Sequence, residues 1–203
     1  MNTYTHKESP SAYIACFGKS TVPKHEASYH IATKIAETLV ENGLGLLHGG
    51  YSGGLMEAVD TAAVRRAREL GSSKPESWAV GLPIACFEEG WGITEHGTRL
   101  TPVLSIEDRL TEFCTRSSGT IVLPYGGLGT MHELLHVITR AKYFPESRKP
   151  LILFGQHWES SLDAMLGGIE SKDTTRSFPW IKTVTTIDEC MSAIQDMAQE
   201  ILG

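Results

Sequence analysis

The sequence predicts an open, doubly wound α/β fold: a Rossmann-like, mostly parallel sheet flanked by helices. Three observations carry this expectation. Short apolar runs alternate with amphipathic helical stretches along the chain. Several of those runs are continuous rather than alternating in polarity, as strands are when helices cover both faces of a parallel sheet. The length of 203 residues, with 41% hydrophobic and 21% charged residues, supplies one sizeable core. The expected organisation is a polar arm over 1–12 followed by a single domain over 13–203.

Taken in order, Tyr13 to Phe17 is a compact apolar run ending at Gly18, a buried strand followed by a turn. Residues 25–42 place Ala27, Ile31, Ile35 and Leu39 at helical spacing, and Gly43 stands where a helix stop belongs. Leu44–His48 makes the second strand, and a helix follows from about Gly54 to Leu70. Trp78–Leu82 reads as a strand, 83–98 as a less regular segment, and Leu100–Leu104 as another strand. A helix over 106–117, strand Thr120–Leu123 and helix 129–143 come next. Strand Leu151–Phe154, helix 158–169, strand Ile181–Val184 and helix 187–202 complete the alternation.

Composition excludes several function classes. A net charge of −6 with scattered Lys and Arg lacks the basic footprint of a nucleic-acid binder. Cys16, Cys86, Cys114 and Cys190 lie far apart with no CxxC pair, which suggests neither a disulfide framework nor a zinc knuckle and fits a reducing cytoplasm. The polar N-terminus has no apolar signal core, and no run of about 18 apolar residues occurs. The expectation is an unexported protein without a membrane or nucleic-acid partner.

The 20 glycines are informative through their placement. Six fall within residues 43–54, and Gly126, Gly127 and Gly129 form a second cluster. Each cluster includes a strand-to-helix junction. There, glycine lets the backbone approach a ligand, and the helix N-terminus attracts a phosphate. Neither cluster is a Walker A loop or a full GxGxxG with a distal acid. The pattern therefore points to a nucleotide or sugar-phosphate site without supporting ATP hydrolysis or ordinary NAD binding. Tight-turn punctuation is the competing explanation for one cluster alone.

The stretch from Pro124 through Gly126, Gly127, Gly129 and Thr130 to Glu133 resembles the PGGxGTxxE signature of the LONELY GUY (LOG) family, formerly described as possible lysine decarboxylases. Other segments agree with it. Gly49-Gly50-Tyr51-Ser52-Gly53-Gly54-Leu55-Met56 is similar to that family's GGGSVGLM, and Phe17-Gly18-Lys19-Ser20 to its FCGSS turn. Arg109 stands 15 residues before Pro124, as the family's RK arginine does, and Lys149-Pro150 opens a similar strand. The departures are Tyr125 inserted before the glycine pair, Leu110 in place of the lysine after the arginine, and Tyr51 and Gly53 in the first loop. The family's acidic substrate contact has Glu88, Glu89 and Glu95 as candidates.

The resemblance implies hydrolysis of the N-glycosidic bond of a nucleoside 5′-monophosphate, AMP or an N6-modified AMP, to free base and ribose 5-phosphate. It implies a homodimer and no cofactor. Glu133 would stabilise the cationic sugar or position water, and Arg109 would hold phosphate or assist the base. Gly126, Gly127, Gly129 and Thr130 would cradle the phosphate, with Gly18, Ser20, Gly49, Gly50, Ser52 and Met56 completing the site.

Each assignment competes with a plainer role. Thr130 and Glu133 have the spacing of a capping box, Arg109 could pair with Glu112 on its own helix, Ser52 could be only an N-cap, and Met56 could be core. The main functional alternative is a non-hydrolytic nucleotide or cofactor binder resembling molybdenum-cofactor carriers. A third is a zinc peptidase, because His132-Glu133-Leu134-Leu135-His136 reads HExxH. A zincin needs a third ligand and room for an extended substrate, which a helix beginning just after a Gly-rich loop does not offer. No metal is expected.

Overall fold

The structure, a computed structural model, describes residues 8–87, 90, 92–166 and 178–203. Its strands are β1 (Ala12–Phe17), β2 (Leu44–His48), β3 (Ala79–Gly81), β4 (Thr98–Arg99), β5 (Gly119–Val122), β6 (Leu151–Phe154) and β7 (Ile181–Val184). They form one sheet in the order β4-β3-β2-β1-β5-β6-β7, and every pairing within it is parallel. The helices are α1 (Ala27–Glu41), α2 (Gly54–Glu69), α3 (Ile106–Arg116), α4 (Leu128–Tyr143), α5 (Gln156–Leu166) and α6 (Ile187–Leu202).

The continuous apolar strands have the expected cause. In β1, Ile14 and Cys16 face one core while Ala15 and Phe17 face the other. In β6, Ile152 and Phe154 are divided from Leu151 and Leu153 in the same way. Since side chains alternate across a strand, every position must be apolar when both faces are covered. α1, α2 and α6 bury Ile35, Leu39, Val59 and Ile194 on the first side. α3, α4 and α5 bury Phe113, Leu134, Ile138 and Leu162 on the second.

The predicted strand Leu100–Leu104 is displaced. β4 is only Thr98–Arg99, paired through Val80 with Thr98 and Gly81 with Arg99. Pro102 cannot donate to a ladder, Leu104 is exposed, and beyond Arg99 the chain keeps a bond from Leu100 N to Gly81 O at 2.9 Å and an isolated bridge from Ile84 to Val103. β1 begins at Ala12, inside the predicted arm, and Ser11 N donates to Gly43 O at 3.0 Å. Residues 167–169 of the predicted fifth helix lie outside the described residues. So do Glu88 and Glu89.

Chain direction across the sheet fixes where a ligand can sit. From β1 the strands proceed outward through β2, β3 and β4, and the chain then returns to β5 on the other side of β1. The crevice beyond the carboxyl ends of β1 and β5 is thus the topological switch point, where such sheets bind ligands.

Candidate active site

A cavity of about 450 Å³ opens at that switch point. Its floor is Cys16 and Phe17 at the end of β1, continued by Gly18, Lys19, Ser20 and Thr21. One wall is Gly49, Tyr51 and Met56, and the other is Gly127, which caps α4, with Gly129, Thr130, His132 and Glu133 on that helix. Ile106, Arg109 and Leu110 enter from α3, and Phe87 from the segment after β3.

The loops around the cavity are tied to one another through backbone. Lys19 N donates to Tyr125 O at 2.9 Å, and Leu55 N donates to Lys19 O at 2.8 Å. The loop after β1 therefore bridges the amino ends of α2 and α4. Close approach at α2 requires glycine at position 54: its φ is +58°, and a Cβ there would lie 2.3 Å from Lys19 O. Gly127 and Gly129 differ, because a Cβ at either would meet nothing within 4 Å. Their lack of side chains leaves space in the cavity beside the first turn of α4, where free N–H groups and the helix dipole favour an anion.

The amino end of α2 is already occupied. Glu57 Oε2 accepts from Gly53 N at 3.0 Å, and Lys24 pairs with the same carboxylate. Of the two glycine clusters, only the second leaves its helix terminus open toward the cavity.

Glu133, in the second turn of α4, meets Arg109 from α3: Arg109 Nη2 donates to Glu133 Oε1 at 3.3 Å, with both side chains 12% exposed. The guanidinium also lies 5.7 Å from the Phe113 ring centroid, and Phe113 packs edge-on against Phe17. Burial pushes the Glu133 carboxyl up to about 7, against the opposing pull of Arg109. Arg109 Nε is buried and has no hydrogen-bond partner among the described residues, an unmet donor beside the cavity.

Several local alternatives are decided by this geometry. The N-cap of α4 is Gly127 with no side-chain cap, so Thr130 and Glu133 do not form a capping box; that motif occurs at Thr186 and Glu189 instead. Arg109 pairs with Glu133, while Glu112 pairs with Arg116. Ser52 does not cap α2, whose N-cap is Gly53.

Of the residues singled out from sequence, Gly18, Ser20, Gly49, Met56, Arg109, Gly127, Gly129, Thr130 and Glu133 line the cavity. Gly50, Ser52 and Gly126, also expected there, do not line it: Gly50 is buried, Ser52 is exposed and Gly126 is half-buried. Gly126 is closed in by Thr130 and Trp158, and Ser52 N donates to Gly92 O. Glu95 is exposed and does not line the cavity. His132 lines it, whereas His136 Nε2 is buried without a hydrogen-bond partner among the described residues. Among the described residues no three His, Cys, Asp or Glu side chains converge to hold a metal, so the HExxH segment lacks a third ligand there.

Sequence reasoning missed Lys19, Thr21, Phe87 and Ile106 as lining residues. Lys19 carried a signal, since it replaces a small residue in the FCGSS-like turn. Tyr125 stacks on His157 with ring centroids 6.1 Å apart and reaches the site only through its carbonyl. No helix among the described residues is long and apolar enough to cross a membrane.

Compared with known proteins, residues 56–197 match the family described as "Possible lysine decarboxylase". A protein of Oryza sativa subsp. japonica named as a probable cytokinin riboside 5′-monophosphate phosphoribohydrolase is 34% identical over 128 residues, covering 63% of this chain and 48% of that protein. An Arabidopsis thaliana protein named as a cytokinin riboside 5′-monophosphate phosphoribohydrolase is 30% identical over 142 residues, 70% of this chain and 61% of that one. The matched stretches thus span about half the length of these curated relatives. Among solved structures, the molybdenum cofactor carrier protein from Chlamydomonas reinhardtii superposes with a TM-score of 0.63 at 17% identity, over 93% of this chain and 98% of that one. That is a likeness of fold.

Proposed function

Because the chain belongs to the possible lysine decarboxylase family, which includes the LONELY GUY proteins, we propose that its cavity hydrolyses the N-glycosidic bond of a nucleoside 5′-monophosphate. The substrate is AMP or an N6-modified AMP, and the reaction belongs to cytokinin activation. The observation that supports this most is the buried Glu133 carboxyl facing Arg109 beside the open amino end of α4.

In the proposed reaction the bond from C1′ to the base nitrogen breaks, water oxygen bonds to C1′, and a water proton ends on the departing base. Positive charge develops on the sugar as the base leaves. A largely buried carboxylate stabilises that charge and accepts the proton of the attacking water. With its carboxyl near 7, Glu133 is partly ionised at neutral pH and can both take up and return a proton. Gly127, Gly129 and Thr130 hold the phosphate at the α4 N-terminus. Arg109 uses one donor on Glu133 and retains others for the phosphate or the base.

The proposal includes a homodimer in a reducing cytoplasm. Leu104 and Leu128, 83% and 88% exposed, are apolar side chains that a second copy would cover, and the four cysteines are free thiols. Light scattering at micromolar concentration should give twice the mass of one chain, and a monomer would contradict the dimer. For the activity, the purified protein is incubated with AMP and a panel of other nucleoside monophosphates, and free base is separated by chromatography. Base and ribose 5-phosphate in equal amounts are expected. Stabilisation by nucleotides with no base released from any of them would favour the non-hydrolytic binding protein.

A further inference from the structure

A second pair of ionisable side chains lies wholly outside the cavity lining. His48, at the end of β2, and Asp60, on α2, are both 0% exposed, and His48 Nε2 lies 3.1 Å from Asp60 Oδ1. The other ring nitrogen, Nδ1, accepts from Gly50 N at 3.2 Å. An acceptor nitrogen carries no proton, so this network assigns His48 the tautomer protonated on Nε2, which donates to Asp60. The second Asp60 oxygen accepts from Gly97 N at 3.3 Å. Room for that bond depends on glycine, since a Cβ at Gly97 would fall 2.4 Å from Asp60 Oδ1.

A histidine and an aspartate in the core between a strand and a helix are costly to bury, and apolar residues of similar size would pack there at less cost. What apolar replacements could not supply is an acceptor for Gly50 N and for Gly97 N. Both amides belong to backbone that builds the site. Gly50 has φ +81° and follows Gly49, whose Cβ position lies 2.8 Å from Met56 Sδ and 3.4 Å from Arg109 Nη1. Gly50 O in turn accepts from Thr94 N at 3.2 Å, and Tyr51 bridges to Ile93. The 92–97 segment is thereby laid on the Tyr51 wall.

We infer that His48 and Asp60 are positioning residues for the nucleotide site. Through Gly50 N the pair fixes the Gly49 wall against Arg109, and through Gly97 N it fixes the segment that backs Tyr51. This rests on the proposed hydrolysis only in that Arg109 and the Gly49 wall face the substrate.

Two substitutions separate positioning from stability. In His48→Asn the Oδ1 takes the place of Nδ1 and still accepts from Gly50 N, but Asp60 Oδ1 loses the His48 donor and Asp60 keeps Gly97 N as a donor. In His48→Gln the longer side chain donates to Asp60 but no longer accepts from Gly50 N. Base release from AMP should fall on the order of ten- to a hundredfold in kcat/KM for His48→Gln, the scale of a misplaced wall. His48→Asn should recover most of that loss, although the unpaired Asp60 oxygen lowers its Tm. Hydrogen exchange at residues 49–51 should be faster in His48→Gln than in His48→Asn. Equal kcat/KM in wild type and His48→Gln, or activity that simply follows Tm across both variants, would overturn the inference. The exchange comparison needs no turnover, so it stands apart from any failure of the hydrolase reading, which would show as no base released by the wild type.

Discussion

Arg109 Nη2 lies 3.3 Å from Glu133 Oε1, joining α3 and α4 across a cavity whose floor is the end of β1. The attraction does not compensate for the burial of the carboxyl, which titrates near 7 rather than at its ordinary value of 4.5. A carboxyl raised in the folded state binds its proton more tightly there than in the unfolded chain. Its stabilising contribution is therefore complete below about pH 4.5 and is lost as pH rises through about 7.

Replacing Glu133 by the neutral isostere removes that dependence. Glu133→Gln should match wild-type stability near pH 4.5 and exceed it at pH 8, by on the order of 3 kcal/mol from the size of the shift. Urea unfolding at the two pH values reads the difference. An advantage that is the same at both would place the carboxyl's titration elsewhere.

The same shift predicts the pH dependence of the reaction. If ionised Glu133 acts on the sugar and the water, kcat/KM rises with pH through about 7. Arg109 favours the ionised form, so Arg109→Met should move that limb to higher pH as well as lower the plateau. The substrate phosphate also titrates near pH 6, but it is common to both enzymes, and the displacement between them isolates Glu133. A limb that stays in place in Arg109→Met would contradict the coupling.

Two glycines should respond in opposite ways. Gly54→Ala forces a Cβ against Lys19 O at a positive φ, so it should destabilise the fold by about 1–3 kcal/mol. Gly129→Ala places its methyl in open space within a helix, so it should hold or raise stability, by up to about 1 kcal/mol. Its effect should instead be a higher KM for the nucleotide. Thermal melts beside kinetics on both variants test the contrast, and a Gly129→Ala protein with unchanged KM would remove the phosphate from the α4 terminus.

Most of the alternation was legible because both sheet faces are buried, which makes β1, β2, β5 and β6 mostly apolar runs that local pattern can find. β4 was not, because Leu100, Val103 and Leu104 look like a strand while the two-residue ladder belongs to polar Thr98 and Arg99. The candidate site was legible as motifs and spacing. The sequence could not tell which residue opens α4: with Thr130 as the cap, Glu133 would turn back on its own helix, but with Gly127 as the cap it meets Arg109. The His48–Asp60 pair left no local trace. It arises from β2 packing on α2, and a single histidine ending an apolar run carries no hint of its partner.

The proposed role of Glu133 is the chemistry on a bound nucleoside monophosphate. Its most direct test is the release of free base from AMP and N6-substituted AMP by wild type and Glu133→Gln, with folding checked by circular dichroism and nucleotide binding by calorimetry. The expected result is base and ribose 5-phosphate in equal amounts from the wild type, and binding without turnover in the variant. A Glu133→Gln protein that turns over at the wild-type rate would remove Glu133 from the chemistry.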